Sequence, residues 1–230
     1  MRRLLLPAAA AVLLLGAGCA STGTATGETA APQSSAPPSP APLWSPSTSA
    51  PPAVIPAAAV LQPADLDGIG PTPVPAGEQA HLRPIRPCDA KYPSDATRAA
   101  AVAVKAQVSP GHPETPRVIM EYLGLHPGGA KDAYADLVKA VQSCPGSLDA
   151  GQRTWQIAAT GLAGDESMLV RVGEKFTYGD QPVTTTTPVL VARVGPDYIM
   201  VVTDLGWEST SGDEAYVKRL AGSAVQRLRA

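Results

Sequence analysis

The chain has 230 residues, with 18 Lys and Arg against 20 Asp and Glu, for a formal charge of −2. Charges this balanced, and scattered along the chain, exclude the basic footprint of a nucleic-acid-binding surface or of electrostatic attachment to anionic lipid. Aromatic residues are 4% of the chain and Phe176 is its single phenylalanine, so a core must be built from Val, Leu, Ile and Ala.

Met1-Arg2-Arg3 is a short basic start, followed by an apolar stretch from Leu4 to Leu15 and then Gly16-Ala17-Gly18-Cys19. A basic n-region, an apolar segment too short to span a bilayer and small residues before a cleavage point are the parts of a secretory signal. The Cys directly after them makes the segment resemble a bacterial lipobox, with Gly16 where Leu is usual and Leu15 one place further back. An ordinary signal peptide with an incidental Cys is the alternative. The lipobox reading makes residues 1–18 the signal and Cys19 the lipidated residue, on the extracytoplasmic face of the cell membrane. Acylation at Cys19 would hold the protein there without a transmembrane helix. Loss of Arg2 and Arg3 with the signal would make the chain two charges more acidic.

Residues 19–58 are dominated by Pro, Ser, Thr, Ala and Gly. Such a segment buries too little apolar surface to offset its ordering entropy, and it is expected to be a disordered, semi-extended tether. Residues 59–230 remain, enough for one domain. Within them Ala64-Asp65-Leu66 after Pro63 reads as a short helical turn. Thr97 to Val108 alternates as a strand does, although its Ala content also suits a helix. Arg117 to Leu125 is a strand, with Val118, Met120 and Tyr122 on one face and Ile119, Glu121 and Leu123 on the other. From Ala130 to Ser143 the apolar residues Ala133, Leu137, Ala140 and Val141 recur at helical spacing.

After Pro145-Gly146, strands are expected at Trp155 to Ala159 and Ser167 to Tyr178. Val189 to Val194 and Tyr198 to Thr203 read as a hairpin around Gly195-Pro196-Asp197. Ser211 to Arg229 closes the chain as a helix. Ser211 or Asp213 suits its start, and Arg227 and Arg229 suit the negative end of its dipole. The expected class is α+β: an antiparallel sheet with two long helices packed on one side.

Cys88 and Cys144 would sit in an oxidising compartment, where two cysteines far apart in sequence are expected to form a structural disulfide; two free thiols are the alternative. No CxxC spacing and no adjacent His suggest a metal site, and neither metal nor cofactor is expected. A search for catalytic patterns finds no G-x-S-x-G, H-E-x-x-H, phosphate loop or S-x-x-K. His81, His112 and His126 lie among Pro and Gly residues and read as loop. Asp165 and Glu166 are the densest acidic feature, explained as well by a turn entering a strand as by acid–base or cation chemistry. Trp155 and Trp207 are ligand platforms or core residues.

The order of several short motifs carries a resemblance. Leu61-Gln62-Pro63-Ala64-Asp65-Leu66 is followed by Pro87-Cys88, then Ser143-Cys144-Pro145 and Gly164-Asp165-Glu166-Ser167. Next come Val-Arg-Val-Gly (Val170 to Gly173) and Ala-Arg-Val-Gly (Ala192 to Gly195), before Tyr198-Ile199-Met200-Val201-Val202. From Ala59 to Ala230 this resembles the sensor-domain lipoproteins of high-GC Gram-positive bacteria, related to the extracellular domain of PknH-type kinases. The resemblance implies an antiparallel sheet with two helices and a cleft for an unidentified ligand, and no catalytic residues carry over. Kinase-attached members have two disulfides, whereas this domain has cysteines for one.

The function expected is therefore that of a membrane-anchored, non-enzymatic binding domain. Its partner would be a small apolar or cell-wall-derived ligand or an envelope protein, met through Trp155, Asp165, Glu166 or Trp207. The rivals are an envelope hydrolase using Asp165, Glu166 or His126, and a purely structural envelope protein without a concave apolar pocket.

Overall fold

The computed structural model describes residues 54–78, 85–109, 116–147 and 153–230. All of them belong to one compact unit, Ser49–Ala230. Every described core residue lies in this unit, so it carries its own core. The expected signal peptide, Cys19 and most of the expected tether fall outside the described residues.

Seven strands form one antiparallel sheet: β1 (Thr72–Pro73), β2 (Ala100–Val108), β3 (Arg117–Leu125), β4 (Arg153–Thr160), β5 (Glu166–Tyr178), β6 (Gln181–Val194) and β7 (Tyr198–Asp204). Their order across the sheet is β1-β2-β3-β7-β6-β5-β4. The β5–β6 hairpin turns through Gly179 and Asp180, both at positive φ, the backbone twist that suits a two-residue hairpin. The Ala-rich segment that suited strand or helix is β2, paired along its length with β3, and Val104, Ala106 and Val108 fall on one buried face.

Two helices cover the sheet, α1 (Ala130–Ser143) and α2 (Glu214–Arg229), and they lie on opposite faces rather than on one side as expected. Leu220, Ala221 and Ala224 of α2 pack with Leu123, Leu190 and Met200. Ala133, Leu137 and Val141 of α1 pack with Met168 of β5 and with Val191 and Ile199, the alternate residues of β6 and β7. The central strands are therefore buried on both sides, and they read as nearly continuous apolar runs for that reason. At the start of α2, Asp213 Oδ1 accepts from the Ala215 and Tyr216 amides at 2.8 and 3.1 Å, while Arg227 and Arg229 occupy the last turn.

The domain starts earlier than residue 59. Ile55 is already buried in the α2-face core, and a 3-10 turn over Ala57–Ala59 leads the chain across that face. One side chain pins this segment. Glu121, in the middle of β3 and 1% exposed, accepts from the Leu61 amide at 2.6 Å. Its second oxygen, Oε1, has no partner among the described residues. Burial pushes the Glu121 carboxyl up to about 7, against a smaller opposing pull from the Leu61 N–H.

On the other face the Cys88 and Cys144 sulfurs are at bonding distance, with Cα atoms 6.0 Å apart. The bridge ties the C-terminal cap of α1 to a 3-10 turn over Pro87–Asp89, where Cys88 and Asp89 both adopt positive φ.

Candidate functional site

Helix α1 covers only part of its sheet face. The remainder is a groove of about 730 Å³. Its floor follows from strand register. One row across the sheet reads Ile157, Val170, Val189, Thr203 and Met120, of which the last three line the groove; the next reads Trp155, Val172 and Thr187; the third reads Arg153, Glu174 and Thr185. Phe176 lies one step further along β5. Ile85, Arg86 and Asp89, from the segment held by the disulfide, line the groove, as do Leu205 and Glu208 beyond β7.

Several of the charged side chains around the groove are already paired. Arg86 pairs with Asp95, donates to the Ala90 carbonyl at 2.8 Å, and lies 4.9 Å from the Tyr92 ring centroid. The Tyr92 hydroxyl donates to the Ile85 carbonyl, and burial pushes it up to about 12. Arg153 and Glu174 pair across β4 and β5 at 3.3 Å. Glu208 accepts from the Tyr178 hydroxyl, and that bond raises the tyrosine pKa. The loop carrying Leu205 and Glu208 is anchored by buried Asp204, whose carboxylate accepts from Arg117 Nη1 (2.9 Å), the Gly206 amide (2.8 Å) and the Asp213 amide (2.8 Å).

Of the residues singled out from sequence, Trp155 lies in the groove. Asp165 and Glu166 do not. They stand at the N-terminal end of β5 and form ion pairs with Arg193, and Asp165 pairs also with Arg229. Asp165 Oδ2 further accepts from the Gly195 amide at 2.8 Å, so this acidic feature closes a turn. Trp207 is 37% exposed in the loop after β7; its neighbours Leu205 and Glu208 line the groove but its own side chain does not. Trp155 is thus separated from Asp165 and Glu166 along the length of β5. Cys88 and Cys144 form the expected pair, while Cys19 lies outside the described residues.

The geometry also bears on the residues of a hydrolase. His126 is buried, not a loop side chain in solvent, and burial lowers its pKa. Its Nδ1 lies 3.4 Å from the Thr97 hydroxyl. The nearby Ser94 hydroxyl donates to Asp136 at 2.7 Å, so its proton is committed to a carboxylate rather than to an imidazole. A serine nucleophile needs that proton on its base. The network instead fastens the turn over Pro93–Thr97 to α1. His81 and His112 lie outside the described residues. Among the described residues no group of three or more His, Cys, Asp or Glu is placed to hold a metal ion, and no helix is long and apolar enough to cross a membrane.

Sequence reasoning missed most of the groove. Its one trace was the interruption of the apolar alternation Met168, Val170, Val172 by Glu174, opposite the threonine run Thr184 to Thr187. No protein-family model, curated protein or solved structure matches the chain.

Proposed function

We propose that this chain is a lipid-anchored, extracytoplasmic binding protein, held to the membrane through Cys19 and taking a small ligand in the groove of its folded domain. The observation that carries the binding role is the half-covered sheet face. A structural domain would close its apolar rows with a helix or loop, whereas here Met120, Tyr122, Val172 and Val201 line an open concavity. Its walls are fixed independently, one by the Cys88–Cys144 bridge and the other by Asp204. A pre-formed site of this kind saves the ordering cost of binding. The side chains in it support recognition: Arg153 and Glu174 form an exposed ion pair at its outer end, beside Trp155 and Thr185.

Native mass spectrometry of the unit Ser49–Ala230 with envelope extract tests this. A stoichiometric adduct is expected, lost in Trp155→Ala. An adduct unaffected by Trp155→Ala would move the site elsewhere, and the absence of any adduct would defeat the groove as a ligand site. The anchor is tested separately by labelling cells with palmitate: the full-length chain should take up label and Cys19→Ala should not.

A further inference from the structure

The groove has a polarity gradient along the strands, and this gradient specifies a class of ligand. In the innermost row, toward α1, the facing residues are apolar: Met168, Val191 and Val201. One step out, Val170 and Val189 are joined by Thr203 and Met120. The next row holds Trp155, Val172 and Thr187, and the outermost holds Arg153, Glu174 and Thr185. Every row is two residues further along the strands, so the side chains share one face. A ligand matching this floor has an apolar end directed toward α1 and a polar end at the outer row.

The charges at that outer row discriminate among polar ends. Arg153 and Glu174 already pair with each other at 3.3 Å. Glu208 accepts from Tyr178, and Arg86 is committed to Asp95. An anionic head placed over Arg153 would meet Glu174 beside it. A cationic head over Glu174 would meet Arg153. A hydroxyl, by contrast, donates and accepts, and can join an Arg donor, a carboxylate and a Thr hydroxyl without breaking the pair. Trp155 lies two residues along β4 from Arg153, on the same face, offering an aromatic surface beside the polar row to the C–H face of a sugar ring.

The geometry points to an amphiphile with an uncharged, polyhydroxylated head, of the glycolipid or alkyl glycoside kind, with its head over Arg153, Glu174 and Thr185 and its apolar part against Met120, Tyr122 and Val189. This rests on the groove being the ligand site.

The test is a chemical-shift titration of the unit Ser49–Ala230 with four probes: octyl glucoside below its micellar concentration, octyl sulfate, octyltrimethylammonium and methyl glucoside. Octyl glucoside is expected to shift the Trp155 indole N–H and the Val189 methyls saturably. It should bind about ten-fold tighter than either charged octyl compound, the ratio set by one charge-assisted hydrogen bond gained or lost. Methyl glucoside, without the chain, should bind far more weakly. Thr185→Val, nearly isosteric, should weaken octyl glucoside several-fold and leave the thermal melt unchanged. A charged octyl compound binding as tightly as the glucoside would overturn the head assignment and leave the groove as a site. Equal binding of methyl glucoside would overturn the apolar end. If no probe moves the groove resonances, the amphiphile is wrong, while the groove itself stands or falls by the Trp155-dependent adduct from envelope extract.

Discussion

Replacing Glu121 by Gln should remove a pH dependence from the stability of the domain. The carboxyl sits in the α2-face core between Val104 of β2 and Val202 of β7. The nearest charged groups acting on it are Asp65, which raises its pKa, and Arg227, which lowers it, both weaker than burial and the Leu61 amide. With a pKa of about 7 in the fold against 4.5 for an ordinary glutamate, the folded state holds a proton that the unfolded state has released over this interval. The contribution is therefore fully present below about pH 4.5 and lost as pH rises through 7. A displacement of this size corresponds to about 3 kcal/mol once Glu121 is ionised in both states. Gln reproduces the neutral acid: its carbonyl accepts from Leu61, and its NH2 takes the place of the protonated oxygen. Urea unfolding at pH 5 and pH 8.5 measures the effect. Wild type should lose about 2.5 kcal/mol more than Glu121→Gln between these values, part of the effect having already been lost at pH 5. His126, whose lowered pKa contributes in the opposite direction, is common to both proteins and cancels in the difference. Parallel pH profiles for the two proteins would refute the reasoning, because they would mean that Glu121 ionises in the fold as readily as in water.

Other outcomes follow from the same structure. Removing both sulfurs with Cys88→Ala and Cys144→Ala frees a loop closed by residues 56 apart, and should cost about 4 kcal/mol in denaturant unfolding at fixed pH. Arg117→Ala leaves the fully buried Asp204 with its two backbone donors and no cation, and should cost about 3 kcal/mol, with amide exchange accelerated first in the loop from Leu205 to Asp213. Leu220→Ala opens a cavity in the α2-face core and should cost about 2–5 kcal/mol, against about 1 kcal/mol for Asp213→Ala at the cap of the same helix; calorimetric melts of the two variants give the order.

Several elements were legible because they depend on neighbours in sequence. The bounds of β3 and α1 follow from period-2 and helical spacing over Arg117–Leu125 and Ala130–Ser143, and the start of α2 was narrowed to Ser211 or Asp213, of which Asp213 is the cap. Alternation in β3 also separates Met120 and Tyr122 from Ile119, Glu121 and Leu123, as the two cores confirm. Local pattern was insufficient elsewhere. The β6 residues Gln181 to Pro188 carry a Thr run with two prolines, and they become strand through pairing with β5. Ile55 looks like tether by its neighbours and is core by its contacts.

The residues by themselves determined which side chains share a face, where the helices run and which cysteines were available to pair, since each of these is set by periodicity or by inventory. Only the tertiary structure decided on which side of the sheet each helix would lie. An apolar strand run reads the same whichever face a helix buries, so two helices on one side and one on each side were equally compatible with the sequence. That choice has the larger consequences. With α2 on one face, Glu121 holds the Leu61 amide of segment 55–66; on the other, α1 and segment 85–97 cover part of the sheet, and the described residues leave the groove beside Trp155.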